Sequence, residues 1–216
     1  MTLIKTNQMF KIKEKLFDIQ YAYLDAFISD DNQLVFGLQI KARGKDNYPE
    51  DEEADTSDLF FPEDELLFNS EILLKINPNQ IEKWQDIVGQ KIEWEDYPED
   101  EEEPHALFYV YEHEEVYNAN IEFKNIDNKI IVNVKASCDI YAGEEFSDDL
   151  PLEIETEVDF YGILCGKDAP EEQCRKQIKP FLNLDKLKFV QNKYGVSIMV
   201  PEDTNMETNL LVLGDY

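Results

Sequence analysis

Apolar and polar positions alternate with period two along most of the chain, and that pattern predicts strands. Ile19, Tyr21, Tyr23 and Phe27 share one phase, which Asp25 interrupts. Leu34, Phe36, Leu38 and Ile40 repeat it after the turn-forming Ser29-Asp30-Asp31-Asn32, as in a β-hairpin. Residues 66–76 alternate again through Phe68, Ile72, Leu74 and Ile76. The strictest case is 152–160, where Leu152, Ile154, Thr156, Val158 and Phe160 take one face and Glu153, Glu155, Glu157 and Asp159 the other. Such a strand has one buried and one wet face, and the neighbouring carboxylates call for basic or polar cross-strand partners. Segments 107–111, 116–124 and 129–136 add three more strands, the last two joined by an Asn125–Asn128 turn, and a final hairpin is expected around 192–195 with arms 186–190 and 196–200.

Two segments instead show helical signals. Asn77 is an expected N-cap before Pro78, with Ile81, Trp84, Ile87 and Val88 on one face and Gly89 as the stop. The second runs from Asp168 to Pro180. Glu171 and Glu172 stand early and Arg175, Lys176 and Lys179 late, the order that complements the helix dipole. The expected fold is mainly β of the α+β kind, with antiparallel sheets and two or three short helices. Residues 1–216 are expected to form a single domain, with two β-rich halves meeting near 90–105 as the alternative.

Charge changes this picture more than length does. The 216 residues carry a formal net charge of −28. Residues 21–166 alone hold 38 Asp/Glu against 9 Lys/Arg. Ten acids fall within 46–65 and eight within 93–103, in stretches that include Pro and lack apolar periodicity, so both read as exposed loops. The hexapeptide Tyr-Pro-Glu-Asp-Glu-Glu opens at Tyr48 and again at Tyr97. Other matches around the two copies have different offsets, so a duplication is disfavoured. A field this negative attracts cationic protein surfaces and repels phosphate and anionic lipid. The expected partner is therefore a basic protein, with neither nucleic acid nor membrane. Carboxylates for Arg and Lys together with an aromatic anchor make an interface. The candidate partner-binding residues are thus Tyr48, Glu50, Asp51, Glu52 and Glu53, with Tyr97, Glu99, Asp100, Glu101 and Glu102.

Catalytic and metal chemistry finds little support. Neither acidic loop has the glycine or the ligand order of an EF-hand. His105 and His113 are the two histidines, and Glu112-His113-Glu114-Glu115 is not a zinc-hydrolase motif. No nucleophile elbow and no glycine-rich phosphate loop occurs. Cys174 stands beside Arg175 and Lys176, a setting that activates thiols. It also shares the expected helix face with Ile178 and Phe181, and a core cysteine is the better reading. Three cysteines, Cys138, Cys165 and Cys174, without a CxxC pair suit a reducing cytosol. The N-terminus lacks a signal-peptide core, and no apolar run is long enough to span a bilayer. A cytoplasmic, non-enzymatic chain with no cofactor, no metal and no catalytic residue is expected.

The block from Trp84 to Trp94 reads as a short helix, a Gly89 stop and a strand. The acidic strands Asn120-Ile121-Glu122-Phe123, then 129–136, then 152–162 follow it. Together they resemble bacterial immunity proteins of polymorphic or contact-delivered toxin systems. The resemblance is one of style over about residues 80–165, with no motif that carries functional residues across. It implies an acidic cytosolic protein that inhibits a nuclease-type toxin by covering its active site. The alternatives are a DNA mimic bound by a nucleic-acid-binding partner, and a carboxylate-based hydrolase.

Overall fold

The computed structural model describes residues 8–43, 65–96, 104–110, 112–140 and 148–202. Among these residues twelve strands follow in chain order: β1 (Met9–Ile12), β2 (Lys15–Ile28), β3 (Leu34–Arg43), β4 (Glu65–Ile76), β5 (Lys91–Trp94), β6 (Leu107–Val110), β7 (Glu112–Ile126), β8 (Lys129–Cys138), β9 (Leu150–Glu157), β10 (Asp159–Lys167), β11 (Leu187–Gln191) and β12 (Val196–Pro201). One α-helix, α1 (Glu171–Ile178), precedes β11. The chain is mainly β, and its residues sort into two compact units that do not follow chain order.

The first unit comprises 1–22, 38–73 and 88–158. Its centre is a closed antiparallel barrel of eight strands in the order β1-β9-β8-β7-β6-β4-β3-β2, and pairing of β1 with β2 closes the ring. Closure leaves the ring without an unpaired edge. β5 lies outside the ring on β7, with Trp94 opposite Ala119. Phe10, Ile12, Phe68, Phe108, Ile121, Val132, Val134, Leu152 and Ile154 are fully buried in this unit. The rings of Phe10 and Phe108 lie 5.9 Å apart, and Phe17 meets Phe10 edge-on at 6.0 Å. Asp127 and Asn128 both adopt the left-handed conformation at the tip of the β7–β8 hairpin, as a two-residue type I′ turn requires.

The wet face of 152–157 finds the partners its sequence demands. Glu157 pairs with Lys129, Glu153 lies 4.0 Å from Lys11 and opposite Lys135, and Asn133 Nδ2 donates to Glu155 at 3.2 Å. The run 152–160 is nevertheless two strands. β9 ends at Glu157, Val158 donates its N–H to the Ile130 carbonyl, and from Asp159 the chain pairs with β2 as β10. Alternation continues through the switch, so the sequence pattern carries no mark of it.

The second unit comprises 23–37, 74–87 and 159–216. β10 runs parallel to residues 23–27 of β2 and antiparallel to β12, and β12 pairs antiparallel with β11, the last strand of the sheet. α1 buries Cys174 and Ile178, and Phe181 is buried just past its end. Residues 34–40 of β3 are buried without interruption, so both faces of that strand are covered, the mixed face as well as the apolar one.

The segment 77–89 departs from the expected α-helix. It forms turns and a 3-10 stretch, Trp84–Ile87. Asn79 is left-handed and donates its N–H to the Pro180 carbonyl, and the Asp86 carboxylate accepts from the N–H groups of Glu82 and Lys83. The Asp86 bonds capture two donors that a helix would have used, and the left-handed Asn79 breaks what would have been its first turn. Asn77 is not the cap; its N–H instead donates to Gln80 Oε1. Ile81 and Ile87 are still buried, and Gly89 is left-handed as expected of a stop.

Gly162 marks the tightest backbone contact in the second unit. Its φ is +139°, and an added Cβ would lie 2.8 Å from the Met199 carbonyl oxygen and 2.9 Å from Ile198 Cγ2. The β10–β2 register slips between Phe160 and Gly162 at this point. Gly162→Ala therefore meets both a forbidden dihedral and a backbone clash, and should cost about 3 kcal/mol. Urea unfolding checks this, and a loss under about 1 kcal/mol would show that the strand can shift to admit the methyl.

Candidate protein-binding surface

Charge divides unevenly between the two units. The first holds 34 Asp/Glu against 11 Lys/Arg, the second 14 against 9. On the face of β9 the acids are offset by lysines, and on β5 and β7 Lys91 pairs with Glu93 and Lys124 with Glu122. The surplus is concentrated in the connections 44–64, 97–103 and 141–147, which carry 16 acids and one lysine. All ten candidate residues lie there and thus outside the described residues.

The strand ends that carry these connections are described, and their registers place them. Glu65 bonds Lys41 at 2.7 Å and approaches Arg43, so the start of β4 stands beside the end of β3. Leu67 opposes Tyr109, which sets the end of β6 there too, and Val110 opposes Glu112 at the start of β7. Val116 opposes Cys138, and Cys138 opposes Leu150, which brings in the end of β8 and the start of β9. One rim of the barrel therefore roots the connections 44–64 and 139–149 and the β6–β7 turn. Connection 97–103 starts beyond Trp94, opposite Ala119, and returns at Leu107, opposite Glu115, on the half of β7 nearest that rim.

A hydrogen-bonded cluster stiffens the rim. Tyr117 Oη donates to Asp139 Oδ1 at 2.7 Å, the Asp149 N–H donates to the same oxygen at 2.8 Å, and Ser137 Oγ donates to Asp149 Oδ1 at 2.8 Å. A bulge at Asn118, whose φ is +48°, shifts the β7–β8 register beside it. Trp94 Nε1–H donates to the Val116 carbonyl at 2.9 Å and holds β5 against β7. Glu114 and Asp139 are buried charged residues, at 5% and 8% exposure, whereas Glu115, Asp148 and Asp149 face solvent. The Cys138 thiol, next to Asp139 in the chain, is fully buried. Burial first, and then the charges of Asp139 and Glu114, push its pKa up to about 12. Burial first, then the hydrogen bond to Asp139, also raises the Tyr117 phenol above its ordinary value.

Sequence reasoning missed this cluster. Tyr117, Asp139 and Asp149 are separated by 22 and 10 residues, and only the β7–β8–β9 ladder brings them together. Chemically the cluster is a hydrogen-bonded acidic ledge. Among the described residues no group of three or more His, Cys, Asp or Glu is arranged to hold a metal ion. The three cysteines are free thiols, and Cys174 is a core residue as expected. No described helix is long and apolar enough to cross a membrane. No protein-family profile, curated protein or solved structure matches the chain.

Proposed function

We propose that this chain is a non-enzymatic binding protein that captures a basic protein surface on the acidic rim of its barrel. The partner in this reading is a cationic nuclease-type toxin, and the chain acts as its immunity protein by covering the active site. The observation that carries the reading is the segregation of charge. Lysines offset the acids on the β9 face, while the surplus acids belong to connections rooted at or near one rim. Closely spaced carboxylates there would steer a cationic partner into place, and a preformed ledge would lose little conformational freedom on binding.

The test uses a partner recovered by co-purification from the native cell, followed by binding kinetics. Neutralising Glu50, Asp51, Glu52 and Glu53 to Gln or Asn, together with Glu115, Asp148 and Asp149, should slow association about tenfold or more at low salt and change dissociation little. Tyr48→Ala and Tyr97→Ala should instead speed dissociation. Unchanged rates in both sets of variants would remove the rim as the interface.

A further inference from the structure

β11 ends its sheet, and its hydrogen-bond parity can be fixed. The Glu202 N–H donates to the Lys186 carbonyl at 3.0 Å, and the Asn192 N–H donates to the Val196 carbonyl at 3.0 Å. In the register that opposes Leu187 to Pro201 and Gln191 to Ser197, these bonds assign the even-numbered residues of β11 to the β12 ladder. Leu187, Phe189 and Gln191 therefore turn their backbone groups to the open side. The Leu187 N–H is taken by the Leu184 carbonyl. The Leu187 C=O and both backbone groups of Phe189 and Gln191 are bonded to no described residue, which leaves a template for one more strand.

A groove of about 490 Å³ opens at the head of that edge. Trp84, Leu182, Leu187 and Pro201 line it, and Trp84 is held flat on Phe160 at 4.7 Å between ring centres. The volume suits one large side chain with room to spare. The groove is also lined by two lysines and two glutamates, so its own charges balance. Along β11 the balance is different. Residues 184–193 carry Lys186, Lys188 and Lys193 against Asp185; Lys188 Nζ already donates to the Glu202 carbonyl at 3.0 Å, while neither Lys186 nor Lys193 has an acidic partner among the described residues.

We propose that the open edge of β11 binds an extended acidic peptide segment of a partner. The peptide adds a strand through Leu187, Phe189 and Gln191, places an apolar side chain in the Trp84 groove, and sets a carboxylate beside Lys186. The proposal does not rest on the reading given for the acidic rim. Lysines on an edge strand also discourage pairing, and that effect falls hardest on a second copy of the same strand, where Lys188 would approach its own counterpart. An acidic peptide turns the same lysines into partners. The net charge of the chain opposes such a ligand at long range, but at physiological salt fields fade over about 8 Å and the local lysines decide.

The probe is a displayed library of random twelve-residue peptides, panned on the folded full chain, with enriched sequences resynthesised. Enrichment of acidic, alternating sequences with an aromatic or aliphatic residue is expected. Their affinity should fall at least tenfold in Gln191→Pro, which deletes an outward N–H without touching the β12 ladder, and in Trp84→Ala. Lys186→Glu, at an exposed position, should weaken binding severalfold and shift selection away from acidic peptides. A second measurement does not depend on any variant folding: the Phe189 and Gln191 amides should exchange hydrogen quickly in the free chain and at least tenfold more slowly with peptide bound. No enrichment, affinity that survives the substitutions, or an edge already protected in a dimer that Gln191→Pro dissolves would each overturn the proposal.

Discussion

Phe108→Ala should lower the stability of the barrel by about 4 kcal/mol, the ordinary cost of emptying a fully buried phenylalanine site. Phe108 and Phe10 are each 0% exposed, and Phe10 in turn meets Phe17, so three strands share this one aromatic cluster. The surroundings cannot collapse into the vacancy, because the closed ring fixes the positions of β1, β2 and β6 together. Tyr109→Ala on the same strand is the control. Its side chain is 42% exposed, and its loss should cost under about 1 kcal/mol. Urea titrations of the two variants provide the measurement. Equal losses would mean that the aromatic cluster does not organise the barrel core.

Alkaline pH should unfold the protein at pH values where most domains are still intact. Burial first, with repulsion by Asp139 and Glu114, raises the Cys138 thiol from 9.0 to about 12. Burial first, with the hydrogen bond to Cys174, raises Cys165 to about 12. Two phenols move the same way: Tyr117, and Tyr161, whose buried hydroxyl has no hydrogen-bond partner among the described residues and whose shift comes from burial and then from Asp25. Each of these groups is neutral when protonated and holds its proton more tightly in the folded chain. Their contribution is therefore intact below about pH 9 and is lost as pH climbs toward 12. For Cys138 the loss across that window is about 4 kcal/mol. The urea midpoint, followed from pH 8 to 12, should fall steeply, and Cys138→Ala should flatten the fall. A midpoint constant to pH 11 would mean that these groups titrate normally in the fold.

Local pattern made much of this fold legible and long-range pairing did not. The β2–β3, β7–β8 and β11–β12 hairpins follow from period-two runs flanking Asp, Asn and Gly turns, and α1 follows from its charge order and the proline that ends it. Segment 77–89 misled because an Asn-Pro start and an apolar stripe look helical, while what prevents a helix is the left-handed Asn79, tied to the Pro180 carbonyl, and the Asp86 side chain. The barrel was hidden because its closure rests on β1, four residues whose partners are Leu16 and Phe17 on one side and Ile154 and Glu155 on the other. The repeated hexapeptides stood out by composition. The ledge of Tyr117, Asp139 and Asp149 did not, because no spacing rule links residues joined only through strand register and a bulge.

The same closure sets a timetable for synthesis. Met9 pairs with Glu155, so the strand made first must wait for one made 146 residues later. At cellular elongation rates of about 5–20 residues per second the interval is about 7 to 30 s. Until then β1 has β2 as its only partner in the ring, and the nascent barrel is a curled sheet with open edges. Contacts of such long sequence separation also slow folding from the denatured state. In the finished protein the ring leaves its own eight strands no open edge, but its last seam closes late, and the growing chain is most exposed to misassembly in those seconds.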